Sequence, residues 1–236
     1  MQEKYLGDSH DYVKYALLRH LHRQLGVRIG VNWYLVAPSV DHPSNNDGQK
    51  RHHLKGGIWA RWDSELFNRC KVFENEAQRV IQSVRTHGLL PDNTLYFEEN
   101  VTAMRRAEWH ERSLKTLHNA DLVFLDPDNG FEVKSTSART LAKYALYEEA
   151  IAYHRAGKIV VAIQFARQCK PEVRAQKVRH ALYDRAGYAY ELPVIRARVA
   201  PNILFLFLAP PEQIEPLVAA LASFASLSEG KVELVW

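Results

Sequence analysis

Cysteine is scarce in this chain: Cys70 and Cys169 are the only two, and they show no paired spacing. That scarcity argues against a disulfide scaffold and a cysteine-based zinc site, and it fits a reduced, cytoplasmic setting. Long apolar runs are missing as well. The longest, Ile203 to Ala209, is far short of the roughly 20 residues that cross a bilayer, so no membrane partner is expected. The first residues, MQEKYLGDSHD, carry charges and no apolar stretch, unlike a secretory leader. There is no internal repeat and no low-complexity segment. Excess charge is also small: +4 with neutral histidines, at a pI of about 9.0. A slightly basic enzyme and a protein with a nucleic-acid partner are both compatible with that balance.

What is present is ample core material. Hydrophobic residues make up 47% of 236, enough for one large domain, taken here as residues 1–236. Apolar periodicity predicts a helix over Ser9 to Leu25, ended by Gly26. A strand follows over Val27 to Val36, then a long loop over 37–57. Two helices are expected around Asp63 to Phe73 and Glu74 to His87, a strand over Thr94 to Glu99 and a helix over 101–118. Ala120 to Asp126 and Lys158 to Phe165 read as continuously apolar strands, the signature of a parallel sheet covered on both faces. Helices over Ser137 to Ala156 and Pro171 to Ala186 would flank the second of these. The segments 188–199 and 202–210 look like an antiparallel hairpin. A helix over Pro211 to Leu227 and a strand over 231–236 close the chain. Alternating strands and helices predict an α/β, Rossmann-like sandwich, mostly parallel, with a C-terminal antiparallel hairpin.

In such a sheet, ligands collect beyond the carboxyl ends of the central strands. The segment DLVFLDPDNGF, Asp121 to Phe131, ends a buried strand there with Asp126, Pro127, Asp128 and Asn129. Proline forces the chain out of the strand, and Asn129-Gly130 permits a tight turn. The Asp126 carboxylate and the Pro127 carbonyl are two acceptors side by side, suited to holding an amino group with its lone pair free. Phe131 could stack on a ring. Gln164 ends the neighbouring strand, and Arg167 beyond it suits a phosphate. Glu98 and Glu99 end the second strand. At the start of the first helix, Asp8 suits an N-cap and Asp11 the positive end of the helix dipole. Asp11 and Lys14 are spaced to pair. Neighbouring histidines in the loop, His42, His52 and His53, do not have a convincing ligand spacing, and no metal site is assigned to them.

The combination GDSHDYVKYALL and LVFLDPDNG resembles a group within the class I S-adenosylmethionine-dependent methyltransferases. Within it the resemblance is to bacterial 23S rRNA adenine methyltransferases of the RlmJ type and to three-Cys-motif partner proteins. The helix-start pattern of that group is matched by Gly7, Asp8, Asp11 and Lys14. The first two positions of its catalytic tetrad are matched by Asp126 and Pro127, whereas Asp128 and Asn129 stand where it has proline and an aromatic residue. No glycine-rich loop follows the first strand, since Gly48, Gly56 and Gly57 come only later. The resemblance implies S-adenosylmethionine as cofactor, lined by Gly7, Asp8, Asp11, Lys14 and Glu98 or Glu99. It implies methyl transfer to a nitrogen of a nucleic-acid base or related substrate, oriented by Asp126 and Pro127. The alternatives are an Mg-dependent nuclease or hydrolase using Asp126 and Asp128 with Asp8 or Asp11, and a methyltransferase-like binding module without activity.

Overall fold

The computed structural model describes residues 2–36, 50–167, 169–199 and 201–236. Most of the long loop, with His42 and Gly48, lies outside the described residues. The strands are β1 Ile29–Asn32, β2 Leu95–Phe97, β3 Leu122–Leu125, β4 Ile159–Ala166, β5 Val194–Ala197, β6 Asn202–Leu208 and β7 Val232–Val235. They form one sheet in the order β2-β1-β3-β4-β6-β5-β7. The first four are mutually parallel, and β6 enters antiparallel between β4 and β5. The expected α/β architecture with a C-terminal hairpin is therefore present, with β7 added antiparallel on the outer edge of β5.

The α-helices are α1 Ser9–Leu25, α2 Ile58–Trp62, α3 Ser64–Cys70, α4 Ile81–Thr86, α5 Arg106–Thr116, α6 Tyr147–Arg155, α7 Pro171–Ala186 and α8 Ile214–Leu227. α1 packs against α8 and α3, whereas α6 packs against α7 and β4. Tyr153 on α6 donates to Ser113 Oγ on α5 at 2.7 Å, which ties those two helices together. Helices thus cover the sheet on both sides, and the continuously apolar β3 and β4 are buried between them. The buried apolar residues form a single contiguous cluster.

Several boundaries differ from the sequence expectation, each for a local reason. The helix expected from Asp63 ends at Cys70 and continues as a 3-10 turn, Lys71–Glu74. The next helix begins only at Ile81, after a second 3-10 turn. The short α2 has no cap side chain to announce it. The segment expected to be helical from Ser137 is a loop with one 3-10 turn as far as Leu146. Its Ser137–Thr140 pair bonds to itself instead of entering a helix. Helix α5 starts at Arg106 rather than 101. The first strand is shorter than Val27 to Val36, because Tyr34 takes a left-handed φ of 47° that no strand accommodates. Likewise only Val194–Ala197 of 188–199 is strand.

Candidate functional site

Chain order sets the position of the site. After β1 the chain crosses to β2 on one side, then returns to β3 on the other side of β1. In open α/β sheets such a reversal leaves a crevice at the carboxyl ends of the strands that flank it. Here those ends are Asn32 of β1 and Asp126 beyond β3, joined by an Asp126 N–H to Asn32 carbonyl bond of 3.0 Å.

The N-terminus of α1 is anchored over this point. Asp8 caps the helix, accepting from the amides of His10 at 2.8 Å and Asp11 at 3.0 Å. Asp11 Oδ2 reaches back to the Gly7 amide at 2.9 Å. Gly7 has φ +83°, and a β-carbon there would lie 2.3 Å from that of Phe73, so only glycine fits. The His10 ring spans from Asp8 Oδ2 at 2.9 Å to the Pro201 carbonyl at 2.8 Å, tying the helix start to the residue before β6.

Lys14, one turn into the helix, joins the two halves. Its ammonium lies 3.1 Å from Asp11 Oδ1 and 2.8 Å from Asp126 Oδ1. All three side chains are buried, Lys14 at 6% exposure and Asp126 at 1%. Burial alone would lower the Lys14 pKa, yet Asp126, Asp11 and Asp8 together raise it. For Asp11, burial wins, and its carboxyl is pushed up to about 6 despite Lys14. Burial also opposes ionisation of Asp8, but His10, Lys14 and the Asp11 amide outweigh it and hold its pKa down. Burial disfavours a charged His10 ring, while the Asp8 carboxylate and the Pro201 carbonyl raise its pKa on balance. The cluster therefore sets three carboxylates around one lysine.

Two buried polar atoms in it have no hydrogen-bond partner among the described residues: Asp126 Oδ2 and Tyr15 Oη. The Tyr15 hydroxyl feels Asp11 and Asp126, which add to burial in raising its pKa. A buried polar group without a partner costs about 1–3 kcal/mol, so this pair points to a polar ligand. Lys14 itself occupies the place between Asp11 and Asp126 that a metal ion would need. Among the described residues no group of three or more histidine, cysteine or acidic side chains could hold a metal.

The other predicted residues separate into three sets. The first shapes the corner from within. Gln164 accepts from the Phe131 amide at 2.9 Å and donates to the Asn129 and Phe165 carbonyls at 3.3 and 3.1 Å. The Gly130 φ of +91° lets the turn close against that amide, with a virtual β-carbon 2.4 Å from Gln164 Oε1. Phe131 is stacked on Tyr147, centroids 4.6 Å apart and planes within 6°, so its ring belongs to the core rather than to an acceptor. A second set stands at the surface. Asp128 and Asn129 are half-buried, and Arg167 is exposed with its guanidinium over the Phe165 ring. The third set is engaged in other ion pairs. Glu98 pairs with Arg85 at 3.2 Å and Glu99 with Arg112 at 2.8 Å.

Sequence reasoning missed His53. Its ring is fully buried, stacked on Tyr12, with Nδ1 3.2 Å from Ser9 Oγ. It secures the chain after the long loop to α1, as does the Ser9 amide bonded to the Lys50 carbonyl. Nothing in the doublet His52-His53 marks one ring as core and the other as surface. His10 was also passed over, although an Asp two residues before a histidine at a helix start offers a reciprocal cap.

No protein-family model matches this chain, and no curated protein matches it. The geometry therefore carries the functional argument by itself.

Proposed function

We propose that the protein is a methyltransferase that uses S-adenosylmethionine to methylate a nitrogen of a nucleic-acid base or a related amine-bearing ring. The observation that carries this reading is the Lys14 bridge, which holds the buried Asp126 at the crevice with one carboxylate oxygen unpartnered. The strand β6, reversed between the parallel β4 and β5, is a second support, since a terminal hairpin of that kind agrees with the resemblance.

Asp126 Oδ1 is held by the ammonium, which fixes the carboxylate rotamer and leaves Oδ2 to accept from an amino group. The Pro127 carbonyl supplies a second acceptor. Two such bonds hold both amine hydrogens and leave the nitrogen lone pair free, so the residues contribute alignment rather than proton transfer. S-adenosylmethionine, when bound, supplies an electrophilic methyl carbon on a sulfonium cation. The donor chemistry fits such a group, because Asp11 and Asp126 outnumber the single Lys14, Asp8 being paired with His10, and favour a cationic ligand. The end of β1 does not offer the glycine-bounded approach usual for the methionine part. Trp33 and Tyr34 stand there, both fully buried.

Thermal unfolding with S-adenosylhomocysteine tests the reading. The ligand should raise the melting temperature, by an amount worth about 2.7 kcal/mol at a hundredfold excess over Kd. Asp126→Asn should keep that shift and lose methyl transfer at least a hundredfold. No shift at millimolar ligand, or full transfer activity in Asp126→Asn, overturns it.

A further inference from the structure

Two loops leave the carboxyl ends of β3 and β4, which are neighbours in the sheet. The first, from Pro127 to Leu146, is pinned at its base by the Asn129 amide on the Lys143 carbonyl and by the bridge of Phe131 to Ala145. Beyond that base it carries Lys134, Arg139 and Lys143, and between Val133 and Leu146 it has no acid. The second runs from the end of β4 into α7 and carries Arg167 and Lys170, with Arg174 following on α7. Gln164 bridges the two loops at their roots.

Among the described residues none of these six cations has a carboxylate within salt-bridge distance, in contrast to surface pairs such as Arg61–Glu229 and Arg112–Glu99. Arg28, Lys115, Arg155 and Lys158 at the other end of the strands are likewise without one, but they do not sit on a pair of adjoining loops. Of the three acids nearby, Asp128 lies at the base of the first loop, Glu172 is engaged by Arg196 at 2.5 Å and Glu132 by Arg185 at 4.0 Å. The overall charge is only +4, so six such cations on two adjoining loops and the start of α7 are a local concentration and not a reflection of composition. All but the half-buried Lys143 and Arg174 are exposed.

We propose that this rim is the seat of a nucleic-acid strand, whose phosphates lie along the two loops and whose one unpaired base turns in toward Asp126. Phosphate spacing suits a row of cations on loops, and the contacts of such a row are independent of sequence. Asp126 is only 1% exposed, so a base stacked in a duplex could not reach it, and the occupant is single-stranded or has its base turned out. The part of the proposal that places a base at Asp126 rests on the methyltransferase reading; the phosphate-binding rim does not.

Fluorescence anisotropy with a labelled single-stranded RNA 20-mer tests it, using the full chain without cofactor. Affinity should fall steeply between 50 and 200 mM salt. The variant Lys134→Gln/Arg139→Gln/Lys143→Gln/Lys170→Gln should bind at least 30-fold more weakly, and its log–log salt slope should be shallower by about 3, from about 0.7 per lost phosphate contact. A control of equal charge, Arg28→Gln/Lys115→Gln/Arg155→Gln/Lys158→Gln, removes cations from the other end of the strands and should stay within threefold of wild type. Equal losses in both variants, a flat salt dependence or absence of binding overturns the proposal. Binding on this rim by a protein that S-adenosylhomocysteine does not stabilise would sink the methyltransferase reading and leave the surface standing.

Discussion

Two of the buried ionic clusters, one around Arg106 and one around Lys14, are built on different terms. In one, Arg106 meets Glu149 at 2.5 and 2.9 Å, and Nη2 also donates to the Tyr144 carbonyl at 2.7 Å. Glu149 also accepts from the Tyr34 hydroxyl at 2.8 Å and from the Leu146 amide at 3.0 Å. The guanidinium lies against the rings of Tyr34 and Trp109. One cation faces one anion and both carboxylate oxygens are used, with only Arg106 Nη1 left without a partner among the described residues, and the result is a staple between α5 and α6. In the other, Lys14 faces Asp8, Asp11 and Asp126, and two polar atoms have no partner. A cluster that served only stability would not keep surplus acid and unmatched oxygen in the interior. The surplus of acid is what separates the Lys14 cluster from the Arg106 pair.

The largest expected effect comes from removing the cation of the unbalanced cluster. Lys14→Met strands two buried carboxylates and should cost about 3–5 kcal/mol, seen as a lower urea midpoint at pH 7. Adding Asp126→Asn should restore part of that loss. If the double variant is as unstable as the single one, the two carboxylates are not what Lys14 compensates, and the contrast with Arg106 fails.

A change of pH sharpens the same contrast. Burial lowers the pKa of His53 from 6.5 to about 4. The unfolded chain therefore takes up a proton below pH 6.5 that the folded ring refuses, and stability from this group is lost as pH falls from 6.5 toward 4. The loss is on the order of 3 kcal/mol by linkage. Asp11 acts in the opposite sense: its raised pKa of about 6 makes the folded state bind the proton first, so stability rises as pH falls from 6 to 3.8. The two nearly cancel in the wild type. His53→Gln removes one of them, and its urea midpoint relative to wild type should climb as pH goes from 7 to 5. An unchanged difference would place His53 outside this balance.

The smallest effect concerns the corner itself. Gly130→Ala meets both a positive φ and the Gln164 side chain, whereas Gly26→Ala meets the positive φ alone, with open space around it. The first should cost about 2 kcal/mol and the second about 1, compared by chemical denaturation. Equal costs would mean that Gln164 gives way and does not brace the turn.

Much of this was legible in the sequence, and the limits have physical causes. The apolar runs of β3 and β4, the cap at Asp8 and the stop at Gly26 are local signals, and each appears where expected. The meeting of Lys14 with Asp126 could be anticipated from chain order, because the helix start and the strand end both face the carboxyl edge of the sheet. Phe131 was misjudged because an aromatic residue beside an acidic turn looks the same in sequence whether it faces a ligand or Tyr147. The ion pairs of Glu98 and Glu99 could not be foreseen, because their partners, Arg85 and Arg112, are 13 residues away in each case, beyond any local pattern. The balanced Arg106–Glu149 pair, 43 residues apart, left no trace at all.

The ladder between β4 and β6 runs unbroken through seven registered positions, from Val160 opposite Leu208 to Ala166 opposite Asn202. Gln164 sits near its upper end, opposite Leu204. Local opening events begin where contacts are few, and the centre of a long ladder is among the last parts of a protein to let its amide hydrogens exchange. The brace beneath the aspartate corner is thus rooted in a ladder whose amide hydrogens should be among the later ones to exchange.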